Sequence, residues 1–264
     1  MKEQTTESGD RQLLLAFDTS TAALAVALLR GERTEAASRT FSERNHSVRI
    51  VPEIRDLLRS AGVGPARIGA IAVGQGPGSY TGVRIAVSVA KTLAWTWDKP
   101  LIGVSSLEAL ALSAWEAALP AGEAGGADGP VWIVPLMDAR RGQVYTARFA
   151  ADRRGSWRRE AADGIRRLAD WTAALAAQAG DSRPAAVWFV GDAEAHEANI
   201  RLQAGRLPGL RIASCPIDAG AVGRLAHARL LRGERDNVHA FVPNYTQLAE
   251  AEAKLRAAQA ERMK

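Results

Sequence analysis

The chain has 264 residues, 47% hydrophobic and 24% charged, the balance of an ordinary globular protein with one large or two modest domains. No apolar run reaches the ~18 residues that cross a bilayer, and the polar opening Met1–Asp10 lacks the apolar centre of a secretory signal. A cytoplasmic protein is therefore expected, with a disordered leader over 1–11 and no membrane association.

Leu13–Phe17 is a short apolar run that ends at Asp18. Ala23–Leu29 and Arg33–Phe41 follow at hairpin distance, with Gly31 in the second turn, and predict a three-stranded antiparallel meander. From Ser47 to Ser60, Ile50, Val51, Ile54, Leu57 and Leu58 recur at helical spacing, and Gly62 lies just past the end. Pro52 predicts an irregular or kinked early part for that helix. Ile68–Val73 reads as a buried strand, Val83–Trp97 as a helix and Leu101–Val104 as a strand. Ser105 and Glu108 then form a capping box for a helix that runs to Leu119. The order β-β-β-α-β-α-β-α describes an α/β fold: one mixed sheet with helices against it.

Between the Ile68 strand and its helix stands Gly76-Pro77-Gly78-Ser79-Tyr80-Thr81-Gly82, followed by Arg84. Such glycines permit φ > 0 and close approach of another backbone, and amides at a helix N-terminus favour an anion. A phosphate-gripping P-loop is excluded, because Val83 and Arg84 occupy the places of its Lys and Ser or Thr. The dinucleotide fingerprint is only approximated by Gly74, Gly76 and Ser79, and Asp98 precedes the next strand rather than closing it. Two readings stand. Asp18, Thr19, Ser20, Gly76, Gly78, Ser79, Thr81 and Gly82 hold an anion or nucleotide, with ATP or ADP an optional ligand and not a required cofactor. Alternatively, the glycines let a helix pack closely on a sheet. Asp18 in turn either binds Mg²⁺ beside phosphates or caps a turn through backbone amides, and the structural role is favoured.

Pro120–Pro130, with four glycines, is a linker or exposed loop. Beyond it the opening pattern returns: Val131–Met137, then Asp138, the turn Ala139–Gly142 and the alternating strand Gln143–Phe149. Val187–Val190, ending in Gly191-Asp192, is the expected counterpart of the Ile68 strand, so a duplicated domain is indicated. Ala249–Lys264 is a charged, helix-prone tail.

The net charge of +5 comes mostly from arginine, with pairs at Arg140-Arg141, Arg153-Arg154, Arg158-Arg159 and Arg166-Arg167. That balance permits attraction to nucleic acid and equally describes scattered solvated side chains. The single cysteine, Cys215, excludes an internal disulfide and reads as inert. His46, His196, His227 and His239 never fall three or four residues apart, so no metal site and no catalytic residue is assigned.

Ala16-Phe17-Asp18-Thr19-Ser20, the Gly76–Gly82 loop with Arg84, Asp138-Ala139-Arg140-Arg141 before Val144-Tyr145, and Pro243-Asn244-Tyr245 occur in that order. Together, over about residues 12 to 246, they resemble the TsaB (YeaZ) family, the dimerisation subunit of the bacterial machinery that makes N6-threonylcarbamoyladenosine (t6A) in tRNA. The resemblance implies the duplicated actin-like, Hsp70-like ATPase fold, built from two ribonuclease H-like halves. Here these would be 12–119 and 131–248, joined by 120–130 and followed by the tail 249–264, with the last helix packing back on the first half. It also implies a non-catalytic scaffold that docks the catalytic subunit TsaD. The ATP-hydrolysing subunit TsaE would join, tRNA would be reached through the complex, and the chain alone would form a homodimer.

TsaD, of the same superfamily, carries a His-x-x-x-His metal pair where this chain has Ser106 and Leu110. A leucine is no ligand, so that metal chemistry does not carry over. The helix from Val83 to Trp97 has one apolar stripe at Val83, Val87, Ala90, Ala94 and Trp97, and a second through Ile85, Val89 and Leu93. In the family, this helix and the preceding one pair with the equivalent helices of the partner. Val48, Val51, Arg55, Val83, Arg84, Val87, Ala90, Lys91 and Ala94 are therefore the candidate docking residues, with burial inside their own domain as the plain alternative. Two other functions are weighed. An actin-fold ATPase or small-molecule kinase would use Asp138 as its acid, but Arg140-Arg141 stands in place of a second glycine-rich loop. A peptidase acting on the partner lacks any recognisable Ser/His/Asp arrangement.

Overall fold

The computed structural model describes residues 13–41, 45–120, 129–203 and 207–246. The leader 1–11, most of the 120–130 segment and the tail 249–264 lie outside the described residues.

The first half runs β1 (Leu13–Asp18), β2 (Ala23–Arg30), β3 (Arg33–Phe41), α1 (His46–Ser60), β4 (Ile68–Gly74), α2 (Tyr80–Trp97), β5 (Leu101–Val104) and α3 (Ser106–Ala118). The second runs β6 (Val131–Asp138), β7 (Gln143–Ala151), β8 (Trp157–Arg167), α4 (Leu168–Ser182), β9 (Ala186–Gly191), α5 (Glu197–Gln203), β10 (Arg211–Ala213) and α6 (Ala219–Leu231). The sheets are ordered β3-β2-β1-β4-β5 and β8-β7-β6-β9-β10. In both, the first three strands pair antiparallel and the last two join in parallel. β9 holds the place beside β6 that β4 holds beside β1, and the repeat seen in the sequence is a repeat of topology. This is the α/β architecture of two ribonuclease H-like halves in the actin-like ATPase fold.

β1, sequence Leu-Leu-Leu-Ala-Phe-Asp, is buried along its whole length because helices cover both faces of its sheet. α1 and α2 lie on one face, against a core that includes Leu15, Phe17, Ile50, Ile71 and Val87. α3 and α6 fill the space between the sheets, and α4 packs on the far face of the second. The two halves exchange helices: α3 of the first rests on β6, β7 and β9, while α6 of the second rests on β1, β2, β4 and β5. The edge strands β3 and β8 are the polar ones, as solvent-facing edges require.

Three expectations are corrected. α1 runs unbroken from His46 to Ser60, and Pro52 is accommodated on its exposed side. α2 begins at Tyr80, three residues before Val83, because the Ser79 hydroxyl caps it by accepting from the Gly82 amide at 3.3 Å. The capping box is half made: Ser105 accepts from the Glu108 amide at 3.1 Å, while the Glu108 carboxylate instead binds Trp157 and Arg159 of the second half. Among the described residues no helix is long and apolar enough to cross a membrane.

Candidate functional site

β1 ends in Asp18, which is 1% exposed. Its Oδ1 accepts from the amide and hydroxyl of Ser20 at 2.6 and 2.7 Å, and its Oδ2 accepts from the Ser106 hydroxyl at 2.6 Å. Ser106 Oγ also accepts from the Gly76 amide at 3.0 Å, and the Ser106 amide donates to the Gly76 carbonyl. One hydroxyl therefore ties the first strand, the glycine loop and α3 together. Burial holds the Asp18 carboxyl above the ordinary carboxylate range, although the bonds from Ser106 and Ser20 pull the other way.

The loop itself lies backbone to backbone on residues 19–20. The Ser79 amide donates to the Ser20 carbonyl at 2.7 Å, and Thr19 Oγ1 donates to the Gly82 carbonyl at 2.7 Å. A Cβ on Gly82 would stand 2.0 Å from the Thr19 carbonyl oxygen, and one on Gly78 would stand 2.5 Å from that of Ser20. Only glycine fits at either point. Asp18, Thr19, Ser20, Gly76, Gly78, Ser79 and Gly82 are thus brought together as expected neighbours, while Thr81 stands exposed on the first turn of α2. Sequence reasoning missed Ser106 as a member of this cluster, though it singled out that position for lacking a histidine.

Four residues of the presumed docking stripe are placed differently. Val83, Val87, Ala90 and Ala94 are at most 4% exposed and belong to the core shared with α1, β1 and β4. They serve the chain's own packing, so they cannot face a partner. Lys91 is also engaged: its ammonium donates to the carbonyls of His239 and Phe241 at 3.1 and 2.9 Å. The outward residues are Val48, Val51 and Arg55 on α1, with Arg84, Ser88, Thr92 and Trp95 on α2. Val48, Val51 and Trp95 are 67%, 54% and 70% exposed. Ile85 and Val89, half-buried, complete the outer stripe of α2. Positions 85, 88, 89, 92 and 95 share helical spacing, which was the available signal for Trp95.

Between the halves lies a cavity of about 210 Å³, lined by residues that include Thr21, Phe41, Leu110, Met137, Cys215 and Pro216. Leu110 is 1% exposed and part of the core between the sheets. Burial pushes the Cys215 thiol up, away from the reactive thiolate. Asp138 closes β6 but stays half exposed, its Oδ1 accepting from the Arg140 amide at 3.1 Å. The second-half arginines are largely spent on packing. Arg148, Arg159, Arg166 and Arg211 lie over Trp132, Phe149, Trp171 and Trp188. Among the described residues, no three His, Cys, Asp or Glu side chains gather as a metal site would need.

The chain matches the family model of TsaD, tRNA N6-adenosine threonylcarbamoyltransferase, over residues 39–255. It is 38% identical over 246 residues to the tRNA threonylcarbamoyladenosine biosynthesis protein TsaB of Bacillus subtilis, covering 91% of this chain and 96% of that one. A tRNA N6-adenosine threonylcarbamoyltransferase of Anaeromyxobacter dehalogenans is 40% identical, but over 80 residues only, 30% of this chain and 24% of that one. The solved structure of a Pseudomonas aeruginosa protein described as similar to peptidase YeaZ superposes with a TM-score of 0.71 at 30% identity, covering 89% of this chain and all of that one. Full-length likeness to TsaB, set against a match to the transferase in one segment, decides between the two: the chain belongs to the TsaB (YeaZ) family.

Proposed function

We propose that the chain is a non-catalytic scaffold subunit in t6A synthesis, docking the catalytic subunit TsaD through the outward faces of α1 and α2. The complex then transfers threonylcarbamoyl to N6 of the adenosine beside the anticodon in tRNAs that read codons beginning with A. TsaE joins that complex, tRNA is reached through it, and a second copy of the chain takes the same face when TsaD is absent. The assembly works in the cytoplasm. Asp18 and the glycine loop hold the fold, with no cofactor required; every polar atom described around the Asp18 carboxylate is a partner supplied by the chain itself.

One observation carries the reading: Val48, Val51 and Trp95 stand exposed on two helices packed side by side. Apolar side chains grouped in this way mark a surface that another protein covers. The test is light scattering of the chain with TsaD, using Val51→Glu. The heterocomplex should weaken about 100-fold while the urea midpoint stays unchanged, since a charge is then buried unpaired only on association. Wild-type affinity in Val51→Glu would overturn the docking assignment.

A further inference from the structure

The chain's C-terminal segment returns to α2 beside the glycine loop. The Asn244 amide donates to the Gln75 carbonyl at 2.7 Å, and its side chain donates to Asp163 of β8 at 3.2 Å. One residue on, the Tyr245 hydroxyl accepts from Arg84 Nε at 2.9 Å. The Tyr245 ring lies 5.6 Å from that of Tyr80, and the Arg84 guanidinium sits 4.5 Å above the Tyr80 ring. Tyr80 and Tyr245 are 55% and 45% exposed. The terminal nitrogens of Arg84 have no partner among the described residues.

Three features give this cluster a direction. A guanidinium has five N–H donors in a flat fork, and the pair of terminal nitrogens left over here matches the two oxygens of a carboxylate. Being held by a ring and a hydroxyl, the fork loses little freedom when it binds. The surroundings lack a competing acid: α2 has no Asp or Glu anywhere in its sequence. On α1, Glu53 and Asp56 are already paired with Arg49, Arg55 and Arg59.

We infer that Tyr80, Arg84 and Tyr245 form a carboxylate-binding corner of the docking face, which takes an Asp or Glu side chain from the docking helices of the catalytic partner. This rests on the docking assignment above. It adds a charge requirement that apolar contact alone would not impose, and it gives the C-terminal segment a part in partner choice.

The experiment is calorimetric titration of TsaD into the wild type, Arg84→Met, Arg84→Lys, Tyr245→Phe and Val51→Glu, at low and high salt. Arg84→Met should raise Kd about 30-fold and flatten its salt dependence; Arg84→Lys should recover little, because an ammonium cannot make the paired bonds. Tyr245→Phe should cost about 3-fold, since only the bond that fixes the fork is lost. Binding by Arg84→Met and Tyr245→Phe within twofold of wild type, with Val51→Glu inactive, would overturn the corner and leave docking intact. Wild-type binding by all four variants would overturn both. A loss confined to self-association of the Arg84→Met chain would assign the corner to a second copy instead, and end the inference.

Discussion

Asp18 and Asp138 close equivalent strands of two topologically identical halves, yet they live in different surroundings. Asp18 is sealed beneath the glycine loop and bonded to Ser20 and Ser106. Asp138 sits at an exposed hairpin, bonded to the Arg140 amide, with its own amide donating to Asp192. The connections that follow β4 and β9 diverge in the same way. In the first half the glycine loop opens the 18-residue α2; in the second, Gly191-Asp192 leads to a single 3₁₀ turn and the seven-residue α5. Duplication repeated the sheet, but only the first half has a long helix with a free outer face. Docking is therefore a property of one half, while the second supplies α6 and the C-terminal segment that support it.

The comparison can be broken most forcefully on α2. Val87→Glu places a carboxylate in the core at a position 4% exposed, and should cost at least about 3 kcal/mol or unfold the chain outright. Val51→Glu, on the outer face of α1, should stay within about 0.5 kcal/mol of wild type. Urea unfolding of both variants checks this, and equal stabilities would mean that the inner and outer faces of the helix pair are wrongly assigned.

A smaller contrast separates the two aspartates. Asp18→Ala strands the Ser20 amide and the hydroxyls of Ser20 and Ser106 in the interior, which should cost about 2–4 kcal/mol. The same change at half-exposed Asp138 should cost under about 1 kcal/mol. Comparable losses in the two variants would remove the asymmetry between the halves.

The smallest effect is in the pH dependence. Burial raises the Asp18 carboxyl in the folded chain, so the folded state holds that proton more tightly than the unfolded one. Its contribution to stability is then greatest below the unfolded value and declines as pH rises through the raised native value. Asp18→Asn, which cannot ionise, should lack that decline when urea midpoints are followed from about pH 4 to about pH 8. Parallel profiles for the two proteins would show that burial does not control this group.

Much of the fold was legible because burial leaves a period in the sequence. β1 is a continuous apolar run, and α1 repeats Ile50, Ile54, Leu57 and Leu58. Ser105 marks the start of α3. Elements that carry no such period were missed. β8 is a polar edge strand whose arginines disguise it. α4 is rich in alanine, and α6 carries Gly220 and Gly223, so neither shows a strong apolar stripe. At the site, the glycines and Asp18 announced themselves, whereas Ser106 lay 88 residues away from the aspartate it binds.

By itself the sequence determined the strand order of the opening sheet, the duplication, the helix-opening loop and the absence of histidines at positions 106 and 110, all of which depend on local residue type and spacing. Tertiary structure alone decided which of two apolar stripes on α2 turns inward, what the glycines approach, and that the C-terminal segment reaches Arg84. Those outcomes depend on neighbours brought close from far along the chain, and a one-dimensional pattern carries no distance between them.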